Sequence, residues 1–143
     1  MFEQTQRSPH FRLDRFEVTV GRFRRFKGAW DAGWRPTPGQ GKHTHINGGA
    51  GLNAIGASAE PGWAAWDPSV QLNSNLVCGS GTWSSNGVND RRPMDCINFY
   101  EAYAFCIWDG GFLPTEAEWN YVAAGGDEQR VYPWSSPPSS TTY

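Results

Sequence analysis

Apolar and polar residues alternate from residue 11 to residue 18, in the two-residue period of a strand with one buried face. The apolar positions are odd-numbered up to Leu13 and even-numbered from Phe16 onwards. Such a phase shift predicts a bulge or a bend, which would return the apolar side chains to a common face. We therefore predict a short strand that is interrupted at Asp14–Arg15.

A helical period begins directly afterwards. Thr19 is a suitable N-cap residue, and the positions that follow place Val20, Phe23 and Phe26 on one face. The remaining face carries three arginines, which we expect to lie in water: Arg22, Arg24 and Arg25. The pattern thus predicts a helix that buries an aromatic stripe.

The stretch "NFYEAYAFCIWDGG" predicts a second helix. Asn98 can cap it, Glu101 completes a capping box, and Gly110 supplies a left-handed stop. Apolar residues surround most of this helix, so it should be the central helix of the core. The stripe that we expect to face inward comprises Phe99, Tyr103, Cys106 and Ile107, extended by Ala102 and Phe105.

The stretch "LPTEAEWNYVAAGG" repeats this arrangement, with Thr115 as the cap, Glu118 as its capping-box partner and Gly125 at the end. We expect the residues at three positions to face inward: Trp119, Val122 and Ala123. Glu116 and Glu118 can also be interpreted as a catalytic carboxylate pair. The helix macrodipole favours negative charge in a first turn by about 0.3–1 kcal/mol, so we favour the structural interpretation.

No regular period is sustained from residue 28 to residue 85, where tryptophans stand among Gly, Pro, Asn and Ser. We predict a long structured loop held by five of them: Trp30, Trp34, Trp63, Trp66 and Trp83. His43 and His45 form a His-x-His pair with no third ligand at useful spacing, so we do not expect metal there. Residues 131–134 allow one short strand, and we expect flexible ends at residues 1–10 and 135–143.

The overall composition excludes some partners. A net charge of −2 over 143 residues gives no basic field for nucleic acid or an anionic membrane. No run of apolar residues is long enough to span a bilayer, and residues 1–10 lack the apolar centre of a signal peptide. With 38% hydrophobic residues the chain is long enough for one domain.

Cys78 and Cys96 bracket a Gly/Ser/Asn-rich segment and are candidates for a disulfide, which would contribute roughly 3 kcal/mol through the unfolded state. Buried thiols and a reactive thiol are the alternatives. The segment offers no base, and only Arg91 and Arg92 as positive neighbours, to activate a thiolate. We favour the disulfide.

The order of these blocks resembles the formylglycine-generating enzyme family, also called sulfatase-modifying factors. The match is continuous from Arg92 to Gly126, with "EVTVGRF" before it and "YPW" after it. The resemblance covers residues 11–134 as one partial domain, although the middle loop matches only in character. It implies an α+β fold: an irregular, loop-rich single domain related to the C-type-lectin-like architecture.

The resemblance also implies a chemistry. The best-known members are oxidoreductases that oxidise a cysteine of a sulfatase to formylglycine, with molecular oxygen and a copper ion held by two cysteines. Those cysteines and a calcium-binding segment follow the block equivalent to "VYPW". We therefore expect the chain to lack the C-terminal third of the domain, to contain no catalytic, cofactor-binding or metal-binding residue, and to be inactive alone.

Further expectations follow from the resemblance. Cys106 matches a family cysteine that pairs with a residue near the end of the whole domain, so we expect it to be an unpaired thiol here. The core helix at residues 98–109 would leave an apolar face uncovered, which predicts self-association. A sulfatase-type peptide or protein is the implied partner, and the parent protein would be exported to the periplasm or the cell exterior.

Two other functions are weighed against this one. The tryptophan-rich loops suit a non-catalytic module that binds a peptide or a glycan, although we favour the simpler interpretation that the rings fill a core poor in aliphatic residues. A free-standing small enzyme that uses Cys78 and Cys96, or Glu116 and Glu118, is the least favoured.

Overall fold

The computed structural model describes residues 6–7, 11–52, 59–64, 70–74, 76–135 and 137–141. Trp66, one of the predicted tryptophan anchors, lies outside these ranges. The chain divides into a larger unit, Phe16–Leu113, and a smaller one that combines Met1–Arg15 with Pro114–Tyr143. The predicted domain at residues 11–134, with its flexible ends, stays a prediction.

Helices and a minimal sheet are the regular elements of the described residues. The larger unit contains helix α1 (Val20–Asp31), a 3₁₀ turn (Asn47–Gly49) and helix α2 (Phe99–Trp108). The smaller contains strands β1 (Gln6–Arg7) and β2 (Arg12–Leu13), helix α3 (Glu116–Ala123) and a 3₁₀ turn (Gly126–Glu128). The strands are antiparallel, with Gln6 opposite Leu13. This content is compatible with the predicted loop-rich α+β class.

The core of the larger unit is aromatic and is built where α1 meets α2. Phe23 and Phe26 of α1 are fully buried, and Phe105 of α2 packs against both, with ring centroids 5.5 Å and 5.8 Å away. Loop residues complete the cluster: Trp63, Val70, Leu72 and Leu76 are buried in it, and Trp34 and Trp83 pack against it half-buried. The described loop tryptophans therefore fill a core.

Side-chain caps begin all three α-helices. The Thr19 hydroxyl accepts a hydrogen bond from the Arg22 N–H at the start of α1. Two capping boxes, Asn98 with Glu101 and Thr115 with Glu118, begin α2 and α3. Gly110 (φ 85°) and Gly125 (φ 76°) follow the ends of these helices in the left-handed conformation, which glycine adopts without steric cost. Each capping residue thus lies where the sequence pattern put it.

The predicted inward face of α2 is correct for Phe105 and Ile107, which are buried, and wrong for Phe99, which is 65% exposed. Tyr103 and Cys106 pack half-buried against the core, and the buried residues also include Glu101 and Ala104, which the pattern did not predict. Besides closing the capping box, the Glu101 carboxylate accepts a hydrogen bond from the Gln71 N–H at 2.9 Å. Because two residues correspond to about 200° of helix rotation, burial of Glu101 places Phe99 on the opposite side.

Two predictions about the smaller unit are also wrong. Trp119 does not face inward but is 60% exposed, since the buried position of α3 is the capping-box residue Glu118. Residues 131–134 form bends and turns rather than a strand. The Ser135 hydroxyl lies within hydrogen-bonding distance of the Tyr132 and Pro138 carbonyl oxygens, and the Val131 N–H donates to Pro138, so this backbone closes on itself.

The segment before α1 also differs from its prediction. The chain bends at residues 15–16, next to the predicted interruption, and the regular strand covers only Arg12–Leu13. Phe16 is 62% exposed and so does not share a buried face.

None of the helices in the described ranges has the length and apolar character that a bilayer crossing requires.

Gly21 marks a close approach between α1 and the loop at residues 84–93. Its N–H donates to the Asp90 carbonyl at 3.0 Å, and a Cβ atom on Gly21 would lie 3.1 Å from that oxygen and 3.1 Å from the Asp90 Cβ. A Cβ atom on Gly28, in the same helix, would have no heavy atom within 4 Å.

This contrast predicts opposite effects for the same substitution. We expect Gly21→Ala to lower the free energy of unfolding by about 1–3 kcal/mol, because the new methyl group displaces the Asp90 loop. We expect Gly28→Ala to raise it by up to about 1 kcal/mol, since alanine is the better helix former. Urea denaturation of the two variants measures both changes; equal shifts of the same sign would contradict the close approach.

Candidate functional site

Cys78 and Cys96 are joined by a disulfide whose Cα atoms lie 6.0 Å apart. The bond closes the segment between them into a loop, which we call the disulfide loop (residues 78–96). Cys78 is exposed and Cys96 is half-buried. The structure therefore contains the disulfide that the sequence favoured over buried or reactive thiols.

A carboxylate lies beside this disulfide. Asp95 Oδ1 accepts a hydrogen bond from the Thr82 N–H at 2.8 Å and lies 2.9 Å from the Thr82 hydroxyl oxygen. The two sulfur atoms and a carboxylate oxygen of Asp95 all lie within 4.8 Å of one another. Asp95 was not predicted as a site residue, although it lies directly before Cys96 in the sequence.

The backbone of Gly81 lies close to the disulfide. A Cβ atom on Gly81 would lie 3.0 Å from the Cys78 sulfur and 3.0 Å from the Cys96 sulfur. A side chain here would press on both sulfur atoms. The close approach therefore requires glycine at this position.

Arg24 holds the disulfide loop against α1. Its guanidinium donates to the Asp90 carboxylate at 2.7 Å and to the carbonyl oxygens of Ser84 and Ser85, and it lies over the Trp83 ring at 4.7 Å. The prediction that the α1 arginines all lie in water is therefore wrong for Arg24. It is also wrong for Arg22, which pairs with Asp109, whereas Arg25 is exposed as predicted.

Backbone hydrogen bonds continue this attachment at the start of α1. The first N–H groups of a helix have no partner within the helix. Here the Val20 N–H donates to the Arg92 carbonyl and the Met94 N–H donates to the Val18 carbonyl. Asn89 also donates to the Thr82 carbonyl inside the loop at 2.8 Å. The disulfide loop is thus fixed by contacts that do not involve its sulfur atoms.

A second polar cluster is buried around His43. Its Nδ1 lies 3.0 Å from Glu60 Oε1, and its Nε2 lies 2.7 Å from the Leu113 carbonyl oxygen. Both ring nitrogens thus lie within hydrogen-bonding distance of oxygen atoms. The Glu60 carboxylate also accepts the N–H groups of His43 and Leu52. This cluster ties the long loop to the segment before α3.

From the sequence, His43 is a candidate only for metal binding. Its nitrogens are instead used in hydrogen bonds, and the ring of His45 stacks on Phe112 at 4.8 Å. Glu60 was missed, although it is the sole carboxylate between Asp31 and Asp67. A single acid in a long loop that also holds histidines was the available signal.

The pKa of Glu60 reflects this environment. Burial of the carboxylate raises its pKa, but the hydrogen bonds from Leu52 and His43, together with the charge of the His43 ring, outweigh burial. The net result is a pKa below the ordinary value of 4.5. The ionised carboxylate is therefore the form that stabilises the fold.

The lowered pKa predicts a loss of stability in acid. Because the folded state binds the Glu60 proton less readily than the unfolded state, the stabilisation is present above pH 4.5 and is lost as pH falls through the lower folded-state value. We expect Glu60→Gln to lower Tm at about pH 7 and to differ little from the parent at about pH 3. Thermal melts across this range test it. Glu116→Gln, at an exposed glutamate, is the control. If the Tm difference between Glu60→Gln and the parent protein did not change with pH, the lowered pKa of Glu60 would be contradicted.

The remaining candidates have structural places. Glu118 lies in the capping box of α3, where its carboxylate accepts the Thr115 N–H at 2.7 Å, while Glu116 is exposed. Cys106 is a half-buried residue of α2 that packs against the core. The positions of Glu116, Glu118 and Cys106 therefore do not indicate a nucleophile or an acid–base pair.

Comparison with known proteins identifies the class. The model of the sulfatase-modifying factor enzyme 1-like domain (FGE-sulfatase) matches residues 2–142, and the chain belongs to this family. The formylglycine-generating enzyme of Thermomonospora curvata is 30% identical over 140 residues, which are 93% of this chain and 43% of that protein.

Two other relatives match shorter stretches. The inactive C-alpha-formylglycine-generating enzyme 2 of Mus musculus is 43% identical over 73 residues, which are 50% of this chain and 22% of that protein. The hercynine oxygenase of Mycobacterium tuberculosis is 35% identical over 55 residues, which are 36% of this chain and 13% of that protein. The chain spans less than half the length of each of the three. Solved structures give no significant match.

The donor atoms of this chain do not fit the copper ion that the resemblance implies. That ion needs two thiolates, and among the described residues the neighbouring cysteines, Cys78 and Cys96, share a disulfide. In this form neither sulfur carries the negative charge of a metal ligand. No chemical step is therefore assigned to copper on these residues.

Proposed function

We propose that this chain forms the scaffold part of a formylglycine-generating enzyme, an oxidoreductase that converts a cysteine of a sulfatase to formylglycine. The observation that carries the proposal is the family match across residues 2–142, together with the alignment of 93% of this chain to 43% of the bacterial enzyme. In this proposal the oxidising centre, with its copper ion, and the calcium site are not formed by the residues of this chain. The parent protein would be exported.

The residues of this chain have a positioning role in the proposal. The capped helices α1 and α2 build an aromatic core, and the His43–Glu60 cluster joins the long loop to the backbone at Leu113. A rigid element is the usual support for a site whose reacting groups must be held within fractions of an ångström. We therefore propose that the chain fixes the geometry of a catalytic segment that it does not itself supply.

A chimera tests this function. The 140 residues of the Thermomonospora curvata enzyme that align with this chain would be replaced by this chain, and the product would be incubated with copper, oxygen and a Cys-x-Pro-x-Arg peptide. We expect aldehyde formation, detected by mass spectrometry, from the chimera and none from the chain alone. A folded, copper-loaded chimera without turnover contradicts the proposed function, and turnover by the isolated chain contradicts the location of the centre.

A non-catalytic binding module is the second candidate, and one observation favours it. The rings of Tyr132 and Trp134 in the smaller unit are stacked with centroids 5.1 Å apart, and both residues are exposed. Stacked exposed rings suit a sugar face or an apolar peptide side chain. Titration with glycans and peptides, followed by Trp fluorescence, tests this candidate. A response that survives Trp134→Ala would contradict a role for the stack.

A further inference from the structure

We propose that the disulfide loop becomes a metal site when its disulfide is reduced, with Cys78, Cys96 and Asp95 as ligands for one zinc-like divalent cation. The inference does not depend on the proposed oxidase function. Three observations carry it: the donor set, the absence of a side chain at residue 81 and the attachment of the loop to α1.

The donor set suits a borderline-soft cation. The two sulfur atoms and the Asp95 carboxylate oxygen lie within 4.8 Å of one another. In tetrahedral zinc sites, ligands stand about 2.0–2.3 Å from the ion, so donor atoms lie about 3–4 Å apart. Small rotations of the freed cysteine side chains bring the three atoms into that range. Two thiolates and one carboxylate leave the fourth position for water.

Gly81 keeps side-chain atoms away from both sulfur donors. A Cβ atom at this position would stand 3.0 Å from each sulfur, so any other residue would place side-chain atoms against both donors. Thr82 orients the third ligand, since its N–H and hydroxyl both lie against Asp95 Oδ1. The other carboxylate oxygen remains available to the ion.

The loop stays in place without the sulfur–sulfur bond. Arg24 binds Asp90 and the Ser84 carbonyl, Asn89 binds the Thr82 carbonyl, and backbone hydrogen bonds join residues 90–94 to α1. These contacts hold residues 82–94 against α1 after reduction, and the Thr82 N–H keeps Asp95 beside the start of the loop. The ligands therefore remain pre-arranged, which lowers the entropic cost of binding the ion.

Reduction of the disulfide precedes binding of the ion. A phosphine reductant and one water molecule cleave the sulfur–sulfur bond, which yields two thiols and one phosphine oxide. Binding of the cation then releases the two thiol protons, because thiolates are the ligating form. The oxidised form excludes the ion, since its sulfur atoms carry no charge.

Cobalt(II) is the probe, because thiolate ligands give it a charge-transfer band in the near ultraviolet. The chain reduced with a phosphine is titrated with Co²⁺, and we expect saturation at one equivalent, displacement by Zn²⁺ and no band from the oxidised chain. We expect Cys78→Ser and Cys96→Ser to lose the band. Cys106→Ser is the matched control and should keep it.

Two further variants test the rest of the site. Asp95→Asn can still accept both Thr82 contacts, so the loop is kept while the charged ligand is lost; we expect the Co²⁺ affinity to fall at least tenfold. Gly81→Ala should also weaken binding, because its methyl group would press on both sulfur donors.

Several results would overturn the proposal. These are a folded, reduced chain with no band, a band that depends on Cys106, or an Asp95→Asn variant with unchanged affinity. Near-UV circular dichroism follows the fold, and loss of that signal on reduction, even with Co²⁺ present, also counts against the proposal because the loop must keep its ligands together.

Discussion

Replacing Phe26 with alanine is expected to lower the free energy of unfolding by about 4 kcal/mol, the largest loss predicted for a single substitution in this chain. The Phe26 ring is fully buried and makes ring contacts with five other aromatic residues: Phe23, Trp30, Trp34, Phe105 and Trp108. Removing it leaves a cavity that stiff neighbouring rings cannot fill by small rotations. Urea denaturation followed by Trp fluorescence measures the change.

Phe99→Ala is the matched control for Phe26→Ala. It removes the same side chain from the exposed start of α2, where Phe99 contacts Tyr100 and Tyr103. We expect a change within about 0.5 kcal/mol, as for most surface positions. Comparable losses from the two variants would show that the face of α2 is assigned wrongly.

Concentration-dependent unfolding of the parent, absent in Phe99→Ala, would support the predicted self-association.

Local signals account for what the sequence predicted well. The three helix starts depend on a cap and a residue three positions later, so Thr19, Asn98 and Thr115 could be identified without knowing the fold. The stops at Gly110 and Gly125 are equally local, because they depend on a backbone angle that glycine favours. The family was recognised because these signals recur in a fixed order.

Long-range contacts account for what the sequence did not predict. The inward face of α2 is set by Glu101, whose carboxylate accepts the N–H of Gln71, 30 residues away. A glutamate on an otherwise apolar helix is predicted to face solvent, unless a buried partner such as the Gln71 N–H is known. Likewise, Arg24 meets Asp90 across 66 residues, and His43 meets the Leu113 carbonyl across 70. The periodicity of hydrophobic residues reflects only neighbouring positions, so it cannot reveal such distant pairs.

Replacing both Cys78 and Cys96 with serine is expected to lower the free energy of unfolding by about 3 kcal/mol. The cysteines are 18 residues apart, so the bond restricts a loop of moderate length in the unfolded chain. Equilibrium denaturation of the double variant measures the loss, and Cys106→Ser, which keeps the disulfide, is the control. A loss well under 1 kcal/mol would contradict a stabilising role.

A second variant, Arg24→Met, tests whether the disulfide also holds the loop in the native state. The variant removes the contacts to Asp90 and the Ser84 carbonyl but keeps an apolar side chain near Trp83. If the disulfide acts only on the unfolded chain, the losses from Arg24→Met and from the double serine variant add. A combined loss greater than their sum would mean that the disulfide and Arg24 each hold the loop when the other is absent. Additive losses are the result expected here, because the contacts of the loop with α1 do not involve sulfur.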